Sequence, residues 1–394
     1  MIPAATTLSH LWALKKDIVY LNHGSFGATP IEVTNYQKQL MDELEAEPVA
    51  FNINKLPHLI KASKTTLANF IGTSANNIFF VNNTTTGVNN IVQCLHQPNS
   101  HWLTTNHAYG ACLNVVKHYA AANNNTLNIA NIAYPNTTTE SILEAIENTI
   151  TPKTTFALID YITSATAIIL PIKKIIDLLH SKNILVLINA AHAPGMVNLN
   201  LDFLNADFFV ANCHKWLCSP KGSAFVYVNP MHQHLIRPMV ISHYNDLEED
   251  TPAHWANNFE WDGTHDYSAF IAVKKAIEYM PTFHTQGWEG IKKHNHNLVW
   301  QAGNHIANTL NIALPFSQNM IGSILNIPMP NGEIPSHKFH YNTHLKNTLY
   351  NNYNIEVPIF NYPNAPTQWL RISAQLYNNI AQYQYLAACL KKVL

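Results

Sequence analysis

Glycine is scarce in this chain. Its 394 residues contain 13 glycines, whereas an average usage of about 7% would give roughly 28. Glycine is most useful where the backbone adopts a left-handed conformation or must approach another group closely. We therefore expect several of the remaining glycines to mark constrained turns or a ligand pocket.

Charged residues are also few, at 12% of the chain, while hydrophobic residues make up 47%. This balance excludes a disordered or purely solvating chain, because such chains are polar and highly charged. The net charge is -1, and lysine and arginine are scattered along the sequence. No basic patch for nucleic acid or an anionic membrane is therefore expected, and small-molecule chemistry is the favoured class of function.

The five cysteines form no CxxC pair, so neither a disulfide framework nor a zinc knuckle is predicted. Two His-x-His pairs, at 232/234 and 294/296, lack a convincing set of further ligands, and no metal site is predicted. No apolar run approaches the ~18 residues of a membrane span, and the N-terminus lacks a secretory pattern. We expect a cytoplasmic protein without a membrane segment.

Short apolar runs alternate with amphipathic stretches between about residues 57 and 230. Several runs are continuously apolar, which is typical of strands buried on both faces of a mostly parallel sheet. Repeated strand–helix units of this kind predict an α/β domain of the doubly wound type. The predicted strands are Ile78–Val81, His101–Thr104, Thr126–Asn131, Phe156–Tyr161, Ile184–Asn189, Asp207–Cys213 and Ser223–Val228.

The pattern changes after about residue 262, where long helices and few strands predict a smaller α+β domain. We divide the chain into an N-terminal segment (1–20) packing near the small domain, a large domain (21–262) and a small C-terminal domain (263–394). The small domain's predicted elements are the helices Tyr267–Met280, Trp288–Leu310, His340–Tyr350 and Ala381–Val393 and the strands Ser323–Ile327, Ile355–Ile359 and Trp369–Ser373.

One motif combines hydroxyls with a helix start. The segment NTTTGVN, residues 83–89, follows the apolar strand FFV and precedes a helix. Hydroxyls and free N–H groups at a helix N-terminus can bind an anion, and Gly87 would let the backbone approach a phosphate. A simple threonine N-cap is the plainer interpretation.

Two further motifs place polar side chains after buried strands. The segment NCHKW puts Lys215 after the strand DFFVA, where a lysine can bond covalently to an aldehyde cofactor or can simply be solvated. The segment ILVLINAAHAPG delivers Asn189 and then His192. Taken alone, Asn189 could be a turn former.

Together these motifs are the parts needed to hold pyridoxal phosphate, and with them the sequence resembles the class V aminotransferase family of fold-type I proteins. The branch that it resembles contains isopenicillin N epimerase-like proteins and C–S lyases such as hercynylcysteine sulfoxide lyase. The resemblance implies a large domain with a mostly parallel sheet flanked by helices, and a smaller α+β C-terminal domain. The matching segments between residues 20 and 378 are YLNHGSFGATP, NNTTTGVNN, HAYGAC, INAAHAPG, ANCHKWLCSPKGSAFVYV, WDGTHDYSAF and LRISAQLYN.

The resemblance also implies roles for individual residues. Lys215 would hold pyridoxal 5′-phosphate and then move protons at the substrate Cα. His192 would contact the 3′-oxygen of the cofactor ring, and Tyr109 would stack on that ring. The residues implied at the phosphate are Thr85, Thr86 and His214, with Gly263 and Thr264 reaching it from the neighbouring subunit of a homodimer.

The implied substrate is a small amino acid. Arg371 would clamp its α-carboxylate as a two-point fork, while Asn22 and Ser25 would line the mouth of the substrate pocket. An epimerisation would need a second catalytic acid on the opposite face of the substrate, for which Tyr109 and His23 are the candidates.

Position 189 departs from the family pattern. The family has an aspartate there, whose carboxylate pairs with the pyridine nitrogen and keeps it protonated, whereas Asn189 is neutral and can either donate or accept. Three interpretations follow: an enzyme whose chemistry needs less electron withdrawal by the ring, a cofactor-binding protein of weakened or no activity with a sensor or interaction role, and an unusual variant of the family.

We predict a pyridoxal-phosphate enzyme acting at Cα or Cβ of an amino acid, either as a C–S lyase by β-elimination or as an isopenicillin N epimerase-like isomerase. Lysis is slightly favoured because loss of sulfur relieves the negative charge that develops at Cα. Transamination is less favoured, since it depends most on the electron withdrawal that Asn189 weakens. The binding protein without activity stays the alternative.

Overall fold

The computed structural model describes residues 2–95, 97–243, 252–332 and 344–394. No helix within these ranges is both long enough and apolar enough to cross a bilayer. The strands, in chain order, are β1 Val19–Tyr20, β2 Ile78–Val81, β3 His101–Thr105, β4 Thr126–Ala130, β5 Thr154–Asp160, β6 Leu185–Asn189, β7 Phe208–Asn212, β8 Ala224–Val228, β9 Ile324–Met329, β10 Ile355–Glu356, β11 Ile359–Asn361 and β12 Gln368–Ser373. The α-helices are α1 His23–Phe26, α2 Ile31–Ala46, α3 Pro48–Ala50, α4 Leu56–Ile71, α5 Thr84–Val92, α6 Gly110–Ala122, α7 Thr139–Glu147, α8 Ile172–His180, α9 Leu201–Leu204, α10 Pro252–Asn257, α11 Ser268–Tyr279, α12 Gly287–Leu310, α13 His344–Tyr353 and α14 Ile380–Val393.

A seven-stranded sheet in the order β2-β8-β7-β6-β5-β3-β4 forms the centre of the large domain. The run from β4 to β7 is parallel, and β8 pairs antiparallel with both β7 and β2. All seven predicted strands are present, with ends that differ by at most two residues. The predicted α/β class, with a mostly parallel sheet, is confirmed.

Successive residues of the central strands pack into two separate cores. In β7, Phe209 and Ala211 join a core with α4, α7 and α8, while Phe208 and Val210 join a core with α5 and α6. Because side chains alternate across a strand, both faces of the sheet are covered by helices. This double burial is why the strand sequences are continuously apolar.

The small domain contains an antiparallel sheet in the order β11-β12-β9. Helices α12 and α14 pack on it through a separate apolar core. The predicted strand Ile355–Ile359 is divided into β10 and β11, and the start of the predicted helix His340–Tyr350 lies outside the described residues. The N-terminal segment contacts this domain: β1 pairs with β10, and Thr6 N donates to the Tyr377 carbonyl at 3.3 Å.

Helix α11 belongs to the large domain. Phe270, Ile271 and Val273 join the core that contains α4 and the central sheet, and Ser63 Oγ donates to the Phe270 carbonyl at 2.7 Å. This packing favours a domain boundary after α11, and the boundary at residue 262 stays a prediction. The helical pattern predicted α11 itself but contained no information about the domain on which it packs.

Candidate active site

Lys215 lies in the turn after β7, at the carboxyl edge of the parallel sheet, where α/β folds place their ligands. Its side chain is partly buried. Burial lowers the pKa of the Lys215 amine to about 7, and the positive charge of Arg371 contributes. Near neutral pH a large fraction of this amine is therefore unprotonated, as a nucleophile or general base requires.

Two glycines allow loops to approach the backbone on either side of Lys215. Gly27 has a φ of +70°, and a Cβ at this position would collide with the His214 carbonyl oxygen. Gly195 has a φ of +84°, and a Cβ there would collide with the Trp216 carbonyl oxygen. Two of the chain's few glycines thus lie where only glycine permits this approach.

His192 lies between Lys215 and Trp216. Its Nε2 is 3.2 Å from Lys215 Nζ, and its Nδ1 accepts a hydrogen bond from Trp216 Nε1 at 3.3 Å. Because an indole nitrogen only donates, Nδ1 carries no proton, and the neutral ring holds its proton on Nε2. Burial, with the charges of Lys215 and Arg371, lowers the pKa of His192 well below its usual value. The ring therefore presents a neutral N–H donor beside Lys215, which suits the predicted contact with a cofactor oxygen.

Asn189 contacts a carboxylate that the sequence did not single out. Asp160 and Asn189 end the neighbouring parallel strands β5 and β6 and face each other in register. Asn189 Nδ2 donates to Asp160 Oδ1 at 2.9 Å, and Tyr109 N donates to Asp160 Oδ2 at 3.0 Å. Burial raises the pKa of Asp160 to about 7, against the effect of both hydrogen bonds. The available signal for Asp160 was a carboxylate at the end of the buried strand sequence FALID.

The N-terminus of α5 contains the residues predicted at the phosphate. Asn83 Oδ1 accepts from Thr86 N at 2.9 Å, and Asn212 Oδ1 accepts from Thr84 N at 3.0 Å. Thr85 and Thr86 are partly buried, and Thr84 Oγ1 is buried with no hydrogen-bond partner among the described residues. A buried hydroxyl without a partner at a helix N-terminus fits an anionic group such as a phosphate.

Gly87 has a packing role in addition to the role predicted for it at a phosphate. A Cβ at Gly87 would lie 2.5 Å from Val210 Cγ1 and 2.9 Å from Val226 Cγ2. The missing side chain therefore lets α5 pack closely on β7 and β8. The approach of the Gly87 backbone to a phosphate stays a prediction.

The three residues predicted to bind substrate form one connected cluster. Arg371 is 1% exposed, and it donates from Nη1 to the Ser164 carbonyl at 2.6 Å and from Nη2 to Ser25 Oγ at 3.1 Å. Ser25 Oγ in turn donates to Asn22 Oδ1 at 2.5 Å. The Arg371 guanidinium stacks over the ring of Phe360, with Arg371 Cζ 4.7 Å from the ring centre. These contacts hold the arginine fork in a fixed orientation, as recognition of a carboxylate requires.

His23 lies behind Lys215 and is fully buried. One ring nitrogen is 2.8 Å from the Tyr377 hydroxyl and the other is 3.0 Å from the Lys215 carbonyl oxygen. Burial lowers the pKa of His23 to about 3. Both nitrogens are thus engaged by the scaffold, and the geometry argues against the predicted role of His23 as an acid for the substrate. Tyr109, which is 39% exposed, stays a candidate for that role.

The remaining predicted cofactor residues lie in the turn after β7 or in the loop before α11. A ring nitrogen of His214 is 2.9 Å from the Ser223 carbonyl oxygen, and burial lowers the His214 pKa to about 4. Gly263 has a φ of +124°, and its carbonyl accepts from Tyr267 Oη at 2.9 Å. Thr264 is exposed. Its contact with a neighbouring subunit stays a prediction.

The sequence profile of the aminotransferase class-V family matches residues 28–384. The chain belongs to this family. Its cofactor is pyridoxal 5′-phosphate. The amine of Lys215, the neutral N–H of His192 and the Thr84 hydroxyl, which has no partner within the described part of the chain, fit that group.

Relatives of this family member span nearly its whole length. A probable chloroplastic L-cysteine desulfhydrase of Arabidopsis thaliana is 25% identical, covering 94% of this chain and 82% of the relative. The hercynylcysteine sulfoxide lyase of Schizosaccharomyces pombe is 25% identical, covering 96% and 95%. An isopenicillin N epimerase of Amycolatopsis lactamdurans is 23% identical, covering 97% and 96%.

Solved structures share the fold of this family member. The cystine C–S lyase C-DES, in complex with cysteine persulfide, superposes with a TM-score of 0.79 at 19% identity, covering 95% of this chain and 97% of that one. A cysteine desulfurase from Thermococcus onnurineus NA1 has a TM-score of 0.78 at 17% identity, covering 100% and 98%. The predicted fold type I is confirmed.

Proposed function

We propose that this protein is a pyridoxal-phosphate-dependent lyase that cleaves a carbon–sulfur bond at Cβ of an amino acid. The observation that carries the proposal is the arrangement around Lys215, whose amine lies beside the neutral His192 and is influenced by the charge of the buried Arg371. An unprotonated amine and a fixed guanidinium are what proton removal from an α-amino acid requires. The desulfhydrase and sulfoxide lyase among the relatives support a substrate that contains sulfur.

The residues of the site divide the reaction between them. When bound, pyridoxal phosphate withdraws electrons from the substrate Cα and so acidifies its proton. Arg371 holds the α-carboxylate, and Lys215 Nζ takes the Cα proton. The electron pair left by that proton forms a double bond to Cβ, the C–S bond breaks, and the sulfur leaves with its bonding pair. Addition of water to the remaining fragment gives pyruvate and ammonium.

The position of His23 favours elimination over epimerisation. Epimerisation returns a proton to the opposite face of Cα and so requires a second acid in contact with the substrate. His23 is buried, with both ring nitrogens engaged, which leaves Tyr109 as the candidate among the residues proposed for this role. Elimination needs no such acid, because the sulfur leaves with the electron pair.

A substrate panel tests the proposal. Cofactor-loaded protein is incubated with cysteine, cystine, cysteine S-conjugates and their S-oxides in D₂O, and both pyruvate and deuterium at Cα are measured. We expect pyruvate from at least one substrate, and borohydride reduction should attach the cofactor to Lys215. Lys215→Ala should abolish both results, whereas Lys221→Ala, in the same loop, should preserve the attachment.

Other outcomes select the alternatives. Exchange at Cα without pyruvate would identify an epimerase. Binding of cofactor and amino acid with neither exchange nor pyruvate would favour a sensor or interaction protein. A colourless protein that cannot be reconstituted with the cofactor would overturn the enzyme proposal.

We also propose that the enzyme is a cytoplasmic homodimer with shared active sites. A cavity lined by Thr86, Met239, Val240, Asp262 and His265 lies beside the α5 N-terminus, and Met239 and Val240 are 46% and 49% exposed. This apolar surface next to the predicted phosphate site supports a second subunit there. Fractionation of cells that express the protein tests its location.

Subunit mixing tests the shared site. Lys215→Ala and Thr264→Arg should each be inactive alone, whereas mixed dimers contain one intact site if Thr264 acts across the interface. We expect activity to return on mixing, up to about a quarter of the native level. Persistent inactivity of mixed dimers would contradict a contribution from the neighbouring subunit.

A further inference from the structure

Asp160 and Asn189 form a buried pair at the carboxyl edge of the sheet. Their side chains are 1% and 3% exposed, and the residues occupy matching positions on β5 and β6. Asp160 uses one carboxylate oxygen for Asn189 Nδ2 and the other for the backbone N–H of Tyr109. Tyr109, Asn189 and the Asp160 carboxylate therefore share one hydrogen-bond network.

The carboxylate fixes which way the Asn189 amide points. An ionised carboxylate only accepts hydrogen bonds, so Nδ2 must face Asp160 and Oδ1 must face away from it. Oδ1 accepts a hydrogen bond from Ala191 N at 3.3 Å, and a carbonyl oxygen has a second lone pair. Asn189 therefore has an oxygen acceptor available for a further donor.

The hydrogen bond to Asp160 also changes the charge on that acceptor. A hydrogen bond from an amide N–H to a carboxylate is charge-assisted. In a buried hydrogen-bond network it polarises the amide, so that negative charge increases on the amide oxygen. The Asn189 oxygen consequently becomes a better acceptor for a positively charged N–H than an isolated amide oxygen would be.

The negative charge of Asp160 has an electrostatic effect on Lys215 in the active site. It raises the pKa of Lys215, in opposition to burial and to Arg371. Burial raises the pKa of Asp160 itself to about 7, so a nearby cation would shift this carboxyl toward its ionised form. A protonated pyridine ring and an ionised Asp160 would favour each other for this reason.

We propose that Asp160 is a positioning residue that supplies, through the amide of Asn189, the negative charge that an aspartate at position 189 would supply directly. The ring nitrogen of the bound cofactor is then protonated and donates to Asn189 Oδ1. This proposal rests on the cofactor of the proposed function but not on the reaction that the enzyme catalyses.

The protonation state of the ring is the direct test. Protein is loaded with cofactor labelled with ¹⁵N in the pyridine ring, and the ¹⁵N NMR shift and the cofactor Kd are measured. We expect a protonated nitrogen in the native protein. Asp160→Asn should shift the resonance to the unprotonated position and raise the Kd about tenfold, in line with loss of a charge-assisted bond.

Three further variants distinguish the supply of charge through the Asn189 amide from a general structural role of Asp160. The exchange variant Asp160→Asn/Asn189→Asp moves the carboxylate to the neighbouring strand and should restore the protonated resonance. Asn189→Ala keeps Asp160 but removes the amide, and should lose the protonated resonance. Asp207→Asn removes a buried carboxylate at the amino ends of the parallel strands, away from Asp160, and should leave the resonance unchanged.

The proposal is overturned if the native nitrogen is unprotonated, or if Asp160→Asn or Asn189→Ala keeps it protonated. Should Asp160→Asn fail to fold, the Asn189→Ala and exchange variants decide the question by the same measurement. A protein that yields no pyruvate from any substrate can still give the expected resonance, so failure of the lyase proposal is distinguishable from failure of this one.

Discussion

His192 Nε2 lies 3.2 Å from Lys215 Nζ, and Trp216, the residue after Lys215, donates from its indole nitrogen to the other ring nitrogen of the same histidine. The two contacts orient the imidazole and determine which nitrogen carries its proton. A residue of the loop after β6 is thereby connected to the turn that carries the lysine.

Trp216→Phe should weaken the binding of the cofactor. The substitution keeps an aromatic side chain but removes the N–H that holds the His192 tautomer, so the proton can move to Nδ1. A lost hydrogen bond of about 1 kcal/mol corresponds to a cofactor Kd roughly fivefold higher, which equilibrium titration would measure. An unchanged Kd would show that the tautomer is set by another contact.

Attachment of the cofactor to Lys215 should depend on pH. The lysine reacts as the neutral amine, and its pKa is about 7, so the rate should rise as pH increases through about 7 and then level off. Arg371→Leu removes a positive charge that lowers this pKa, and should move the rise to higher pH. Stopped-flow absorbance at pH 5.5–9 provides the measurement; a rate in the native protein that is still rising tenfold per pH unit at pH 9 would contradict the lowered pKa.

Arg371→Lys should reduce kcat/KM for the substrate more than it weakens the binding of the cofactor. Lysine keeps the charge but cannot reproduce the fork that contacts the Ser164 carbonyl and Ser25 Oγ. We expect kcat/KM to fall by about 10- to 100-fold, the effect of losing a charged hydrogen bond of roughly 1.5–3 kcal/mol. The cofactor Kd should stay within about threefold. Equal losses for amino-acid substrates and their carboxamides would argue against a contact with the α-carboxylate.

Substitution of His23 should lower stability without changing the catalysed proton exchange, whereas substitution of Tyr109 should leave stability unchanged and remove inversion at Cα. His23→Gln disrupts buried contacts with Tyr377 and the Lys215 carbonyl, so the free energy of unfolding should fall by about 1–3 kcal/mol, measured in urea. The pH profile of Cα exchange should keep its shape.

Tyr109→Phe should leave stability unchanged within about 0.5 kcal/mol and pyruvate formation within a few-fold, while any inversion at Cα disappears. Chiral chromatography of the recovered substrate measures inversion. Retention of inversion in Tyr109→Phe would exclude the phenol as the second acid.

The His180–Asp207 contact should make stability depend on pH. His180 Nε2 is 2.9 Å from Asp207 Oδ2, and His232 Nε2 is 2.8 Å from Oδ1. The bond to Asp207 raises the pKa of His180. Although burial opposes its ionisation, hydrogen bonds from His180, His232 and Val186 N lower the Asp207 pKa to about 2.

The contribution of His180 to the free energy of unfolding is complete below its unfolded pKa of about 6.5, and it is lost as pH rises through the higher pKa of the folded state. The contribution of Asp207 is complete above its unfolded pKa of about 4, and it is lost as pH falls through about 2. His180→Asn should therefore cost about 1 kcal/mol at pH 5.5 and less at pH 9, measured by urea unfolding. Substitution of the exposed His118 by Asn serves as the control, and a loss that is larger at pH 9 would contradict the assignment.

The strands of the central sheet could be predicted because both faces of that sheet are buried. Residues such as Phe208–Asn212 are covered on both faces, and the resulting apolar run is visible without any knowledge of neighbours. Helix α11 was predicted for a similar reason, but its assignment to the large domain depends on contacts with α4, which follow from tertiary packing.

Among the site residues, Lys215 was singled out by its place after an apolar strand, whereas the roles of His192 and Arg371 came from the resemblance to the class V family; all three roles stay predictions. The sequence also showed that position 189 is an asparagine. The tertiary structure decided what that asparagine contacts, because Asp160 becomes its neighbour only when β5 and β6 pair. It likewise placed His23 behind the Lys215 carbonyl and Gly87 against Val210. Burial and long-range contacts set the pKa and the role of a side chain, and these arise only when distant segments of the chain fold together.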